Sequence, residues 1–191
     1  DFMSTDELIF IRQYDAGNAR DELLQFAKSI DNWYLAEVGA VGVVDRQIRR
    51  CGAFDISAYR NLCVQYRHID DLLFQVFSRA LNNYVRDLGD LGQFVVSSGI
   101  SKDEGYQFLR YEQGEHYRIH TDSSQDLPRV LSGIILLNSE YGGGELCFSV
   151  QRLTLKPEAG TVILFPSLFT HPHLVCPVTS GIRYSVVTWF K

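Results

Sequence analysis

The chain has 191 residues, 46% of them hydrophobic, which suits one globular domain (1–191) with a substantial core. Its net charge of -5 argues against a nucleic-acid backbone as the main partner, since that partner favours a basic face. No run of about 18 apolar residues occurs, so no membrane-spanning helix is expected. Met3 is the only methionine and the expected native start, with Asp1 and Phe2 preceding it as additions.

In chain order, "ELIFIRQY" (Glu7 to Tyr14) is a short β candidate. Asn18 is placed to cap a helix whose first turn carries Asp21 and Glu22, where carboxylates suit the helix dipole. Ala19, Leu23, Phe26, Ala27 and Ile30 recur at three and four and give that helix one apolar face. The segment from Trp33 to Tyr59 is irregular, and its "RQIRR" run (Arg46 to Arg50) reads as a solvated surface. A longer helix is predicted over Ile69 to Leu88, with a stripe of Ile69, Leu73, Val76, Phe77, Ala80, Tyr84 and Leu88 and a stop at Gly89. His68, at its start, reads as structural or surface.

From Gly92 the texture changes to short runs rich in Val, Ile, Leu, Tyr and Phe, punctuated by turn residues. About eight strands are expected, among them "QFLRYE", "VLSGIILLN", "GELCFSV", "GTVILF", "HLVC" and "RYSVVTWF". The fold class that follows is mainly β with flanking helices (α+β): an antiparallel sandwich or barrel over 92–191, with 1–91 as helical support containing some strands. "EYGGGE" (Glu140 to Glu145) reads as a hairpin turn, because it lacks the Lys-Ser/Thr and the helix of a phosphate loop. Cys51, Cys63, Cys147 and Cys176 form no CxxC pair, so reduced thiols and a cytoplasmic location are expected.

The chemistry concentrates in "YEQGEHYRIHTD", residues 111 to 122. His120 and Asp122 are two apart, and side chains two apart on a strand point to one side of the sheet. Either His171 or His173, late in the chain, completes two histidines and one carboxylate. Such a facial triad with open positions is the pattern of a non-haem Fe(II) oxygenase, although zinc accepts the same ligand types.

A longer ordered set surrounds the triad. It runs Tyr111-x-x-Gly114-x-x-Tyr117-x-x-His120-x-Asp122, then "LSGIILLN", Gly143-Gly144-Glu145-Leu146 and "PEAGTVILFPS". It closes with His173-x-x-Cys176-Pro177-Val178-x-x-Gly181-x-Arg183-Tyr184-Ser185 and "TWF". Over residues 92 to 190 this resembles the prolyl 4-hydroxylase-like branch of the Fe(II)/2-oxoglutarate-dependent oxygenases. The resemblance implies a double-stranded β-helix (a jelly-roll, cupin-like barrel) buttressed by N-terminal helices. It selects His173, which stands four residues before Pro177 and ten before Arg183; His171 fails both counts.

The resemblance further implies Fe(II) on His120, Asp122 and His173, and 2-oxoglutarate held by Arg183 and Tyr111. Tyr117 is implied near the target, although strict alternation puts it opposite His120 unless the turn at Gly114 breaks the strand. Trp189 reads as pocket border or core. Collagen-type relatives place a lysine where Arg183 stands, while the Cys-Pro-Val piece is collagen-type, and this mixture leaves the substrate open. The implied activity couples decarboxylation of 2-oxoglutarate to succinate with hydroxylation of a C–H bond by O2, with ascorbate as reductant. A prolyl residue in a peptide or protein is the expected target, gripped by loops near Arg46 to Ala53 and Thr121 to Arg129. Alternatives are a free amino acid or small metabolite, a non-catalytic binding module on the same barrel, and a nucleic-acid dealkylase, which the acidic balance disfavours. His116, Glu112 and Glu115 read as turn or surface residues.

Overall fold

Alternating apolar residues in the second half sort into two antiparallel sheets. The computed structural model describes residues 6–14, 18–39 and 42–191; Met3 lies outside them. Seven strands form the larger sheet: β1 (Phe10–Gln13), β2 (Tyr34–Leu35), β4 (Gly52–Asp55), β5 (Gln107–Tyr111), β7 (Leu131–Leu136), β11 (Thr161–Pro166) and β14 (Arg183–Phe190). Their order is β1-β11-β7-β14-β5-β4-β2. The smaller sheet holds β3 (Arg49–Arg50), β6 (His116–His120), β9 (Leu146–Phe148), β10 (Leu153–Leu155) and β12 (His173–Val175), in the order β10-β9-β12-β6-β3. β8 (Tyr141–Gly143) and β13 (Val178–Gly181) pair separately.

The period of two decides which way each side chain goes. On β14, Tyr184, Val186 and Phe190 join one buried cluster with Phe26, Leu73 and Phe77. Val187 joins a second cluster with Leu146, Phe148 and Val175 of the smaller sheet, and Trp189 packs against it. β11 divides likewise, Val162 and Leu164 to the first cluster and Ile163 and Phe165 to the second. The first cluster is the contact with helices α1 (Ala19–Ser29), α2 (Ile56–Tyr59) and α3 (Val64–Asp87); the second fills the space between the sheets. Gly133 on β7 lets α3 approach, because a Cβ there would stand 2.9 Å from the Phe77 ring.

Several local expectations are corrected. α3 begins at Val64, five residues before Ile69, with the extended Cys63 accepting a hydrogen bond from the Tyr66 amide at 3.5 Å. Val64, Gln65, Arg67 and His68 are exposed, so that first turn carries no apolar stripe to announce it. Asn18 precedes α1, but its backbone is already helical (φ -82°, ψ 0°) and its side chain makes no capping bond. A capping side chain reaches back only from an extended residue. Gly89 does end α3, at φ +56°, but a 3-10 turn and α4 (Gly92–Ser97) follow before the strands begin. Ten strands, not eight, then lie between Gln107 and Phe190. "EYGGGE" is no hairpin: β8 pairs with β13 and β9 with β10 and β12, so the glycines carry the chain from one sheet to another. His68 holds α3 to α1 through Glu22 at 2.7 Å. Among the described residues, no helix is long and apolar enough to cross a membrane.

Candidate metal centre

β6 carries one half of the site through an irregularity. It pairs with β12 as His120↔His173 and Tyr117↔Val175, so three steps on β6 face two on β12. One extra residue of this kind is a bulge, and it reverses the alternation across it. Tyr117 and His120 therefore face the same way, their rings stacked with centroids 3.5 Å apart. The break that alternation demanded lies inside the strand, not at Gly114.

Asp122 follows just past the strand end. One ligand atom from each of His120, Asp122 and His173 lies within 4.8 Å of the others. His120 Nε2 is 3.3 Å from Asp122 Oδ1, and His173 Nε2 is 3.5 Å from Asp122 Oδ2. The two rings are oriented alike. His120 Nδ1 meets the Arg118 carbonyl at 2.8 Å and His173 Nδ1 meets the His171 carbonyl at 3.1 Å. A carbonyl only accepts, so each Nδ1 carries a proton and each Nε2 is the ring atom turned toward the carboxylate. His171 itself stays out of the cluster: it is fully buried, and its Nδ1 meets the Thr170 hydroxyl at 2.9 Å.

Burial depresses His173 to about 4, with Asp122 offsetting part of the effect, so its ring is neutral at neutral pH. Burial would raise the Asp122 carboxyl, but His173, His120 and the Ser132 hydroxyl outweigh it and hold the group well below the usual carboxylate range. Two ring Nε2 atoms and an ionised carboxylate thus converge on one point, a set of ligand atoms that a divalent cation accepts.

The larger sheet supplies the floor. Arg183 lies directly opposite Tyr111 in the β14–β5 ladder, and its guanidinium sits 5.3 Å from the Tyr111 ring centroid. It is 2% exposed and donates to Ser185 Oγ at 2.9 Å. Its Nε has no hydrogen-bond partner, and among the described residues no carboxylate is within ion-pair reach. A buried guanidinium without an anion is costly, so this floor is shaped for an anionic ligand. Gly144 (φ +66°) makes room for it, since a Cβ there would stand 3.1 Å from Arg183 Cδ. Arg183, Tyr111, Tyr117, Trp189 and the triad all line one cavity, walled by Leu109, Ile134 and Val187. Burial pushes the Tyr111 phenol above its ordinary range.

Two residues of the site carry no signal in a motif scan. Ser132 is buried on β7 and donates to Asp122 Oδ2 at 2.6 Å, backed by Ser167 at 2.8 Å. It stands inside "LSGIILLN", where inward alternation with Ile134 was the available clue. Arg49 was expected on a solvated surface with its neighbours. It is 7% exposed instead, because β3 pairs Arg49 with Tyr117 and turns the side chain inward, 4.8 Å from that ring. It donates to the Glu37 carbonyl at 2.9 Å and to Gln107 Oε1 at 3.2 Å. Arg46 and Arg50 are exposed, as expected. Trp189 stacks under Arg129 at 3.8 Å, and Arg129 binds Glu104 and the Asp122 carbonyl, so the segment after Asp122 is pinned.

Residues 106–191, which hold the triad, Tyr111 and Arg183, match the model of the 2OG-Fe(II) oxygenase superfamily. The matched segment is just under half of the chain, and that segment is similar to the superfamily. The family so described uses Fe(II), 2-oxoglutarate and O2, and the cluster of two histidines and one aspartate here is a ligand set that such a metal fits. A PKHD-type hydroxylase of Pseudoalteromonas atlantica is 34% identical over 58% of this chain and 53% of its own length. A second, from Janthinobacterium sp., is 38% identical over 44% of this chain and 42% of its own. The chain thus spans about half the length of the curated relatives it matches.

Solved structures share the oxygenase fold over nearly the whole chain. A Trichoplax adhaerens prolyl hydroxylase, in complex with a hypoxia inducible factor oxygen degradation domain peptide fragment, has a TM-score of 0.74 at 19% identity, covering 96% of this chain and 83% of that one. A Pseudomonas putida prolyl-4-hydroxylase has a TM-score of 0.68 at 21% identity, covering 96% and 92%. The chain therefore shares the fold of these hydroxylases, the double-stranded β-helix that the sequence leads one to expect. Arg49 and α3 lie before the matched segment, so the Tyr117 side of the cavity is completed from outside it.

Proposed function

We propose that this chain is an Fe(II)/2-oxoglutarate-dependent dioxygenase that hydroxylates prolyl residues in a peptide or protein. One observation carries the reading. A buried, anion-free guanidinium, Arg183, shares a cavity with three side chains whose metal-binding atoms already converge. The pair of features asks for a metal and an anionic organic ligand together.

His120, Asp122 and His173 would hold the iron, and Arg183 with Tyr111 the distal carboxylate of 2-oxoglutarate. When bound, iron and 2-oxoglutarate supply the oxidation of a C–H bond by O2, coupled to release of succinate and carbon dioxide. The protein's share is placement. The carbonyls of Arg118 and His171 fix the ring tautomers, and Ser132 fixes the carboxylate, as outer partners of metal ligands do. Arg183 offers a planar, permanently charged fork to a carboxylate. Leu109, Ile134 and Val187 give the cavity an apolar wall. Tyr117 and Trp189 border the space toward the target.

A peptide is favoured over a free amino acid by an outer groove that adjoins the cavity. It shares Arg49, Tyr117, Asp122 and Trp189 and runs on past Tyr34, Gln107 and Arg129. The names of the relatives point the same way. Ascorbate is the reductant we expect, and a cytoplasmic location agrees with the free thiols.

The test is incubation with Fe(II), ascorbate, 2-oxoglutarate and a panel of proline-containing peptides set beside free amino acids. Gain of one oxygen on a prolyl residue, with matching succinate, is the expected result. Succinate formed only with free amino acids would move the substrate to a small metabolite. No succinate under any condition, with iron bound, would leave a binding module.

A further inference from the structure

We propose that Cys147 and Cys176 form a reversible oxidation site, a thiol pair that closes to an intrachain disulfide when it meets a peroxide. The geometry is set by the smaller sheet. Cys147 lies on β9 opposite Leu174 of β12, and the backbone amide of Cys176 donates to the Glu145 carbonyl at 2.9 Å. Cys176 is two residues beyond Leu174, so the two thiols share a face as diagonal neighbours. Their sulfurs are 3.5 Å apart. Leu146, Phe148 and Val175, which alternate with them, point into the core between the sheets. The thiols therefore lie on the outer face, and both are partly exposed.

Closing the pair brings the sulfurs to about 2.05 Å, the length of a disulfide. Cys176 stands one residue past the end of β12. The chemistry balances with hydrogen peroxide as oxidant. One thiol is oxidised to a sulfenic acid as the peroxide O–O bond breaks and a first water leaves. The second thiol attacks that sulfur, the S–S bond forms, and a second water leaves. Burial and the neighbouring Cys147 thiol push Cys176 up to about 11, which slows its own reaction with peroxide at neutral pH. The other two cysteines differ: Cys51 is buried and Cys63 is exposed at the start of α3. The site lies on the opposite face of β12 from His173 and does not rest on the proposed activity.

The experiment treats the folded protein with hydrogen peroxide, blocks remaining thiols by alkylation, and maps the digest by mass spectrometry. The expected result is a Cys147–Cys176 cross-linked peptide lighter by two hydrogens than its separate parts. Two alkylatable thiols are lost with it and return on treatment with dithiothreitol. Cys176→Ser removes the cross-link while Cys147 becomes a sulfenic or higher acid. Full alkylation of both cysteines after peroxide overturns the proposal, and so does cross-linking of either one to Cys63 of a second chain.

Discussion

β14 and β6 wall the same cavity and are built in opposite ways. β14 runs eight residues with all but one buried, clamped between β5 and β7 in unbroken register. β6 runs five residues with none fully buried, between a two-residue neighbour and a partner against which its register slips. The first delivers Arg183 by strict alternation. The second delivers Tyr117 and His120 by breaking it. Regular burial places a charge deep and holds it there, while a looser strand is free to bunch rings around a metal. Stability and site chemistry should therefore respond to different substitutions.

The largest effect should come from behind the larger sheet. Phe77→Ala opens a cavity under Gly133 and should cost about 3–5 kcal/mol in chemical denaturation. An unchanged midpoint would show that the helix contact does not carry the fold. Arg183→Ala comes next. It should weaken 2-oxoglutarate at least ~10-fold by calorimetry, the worth of one charged hydrogen bond, while Fe(II) affinity stays unchanged. Equal loss of both ligands would erase the division between floor and wall. Ser132→Ala removes the hydroxyl that fixes Asp122, and a drop of roughly 10-fold in metal affinity is expected with little change in fold stability. A drop in stability alone would make Ser132 a packing residue.

Glu104→Gln should have the smallest effect, and it depends on pH. Burial would raise the Glu104 carboxyl, but Arg129 and Lys191 hold it below its ordinary 4.5. A carboxyl lowered in the folded state stabilises above its unfolded value and loses that contribution as pH falls through the folded one. The stability gap between wild type and Glu104→Gln should thus be constant near neutrality and shrink below about pH 4.5. A gap that widens in acid would reverse the assignment.

The same contrast explains what could be read from residues alone. The buried strands and the α3 stripe follow from apolar periodicity, because packing against a face imposes it. The convergence of His120, Asp122 and His173 follows from an ordered motif. Other features answer to partners distant in sequence. Arg49 is buried because β3 happens to lie beside β6, and the start of α3 rests on a cysteine sulfur instead of an apolar residue. The glycines of "EYGGGE" serve a passage between sheets and a close approach to Arg183, neither of which a turn pattern distinguishes from a hairpin.

The bulge in β6 acts as a phase shift in the chain's wallpaper. Its length, not only its composition, decides which ring overlooks the metal position. Straightening β6 with its sequence unchanged would restore the ordinary phase over the three steps from Tyr117 to His120 and swing the Tyr117 ring out to solvent with every ligand residue still present. A census of such motifs in related chains would count that protein as intact, although one wall of its cavity would be missing.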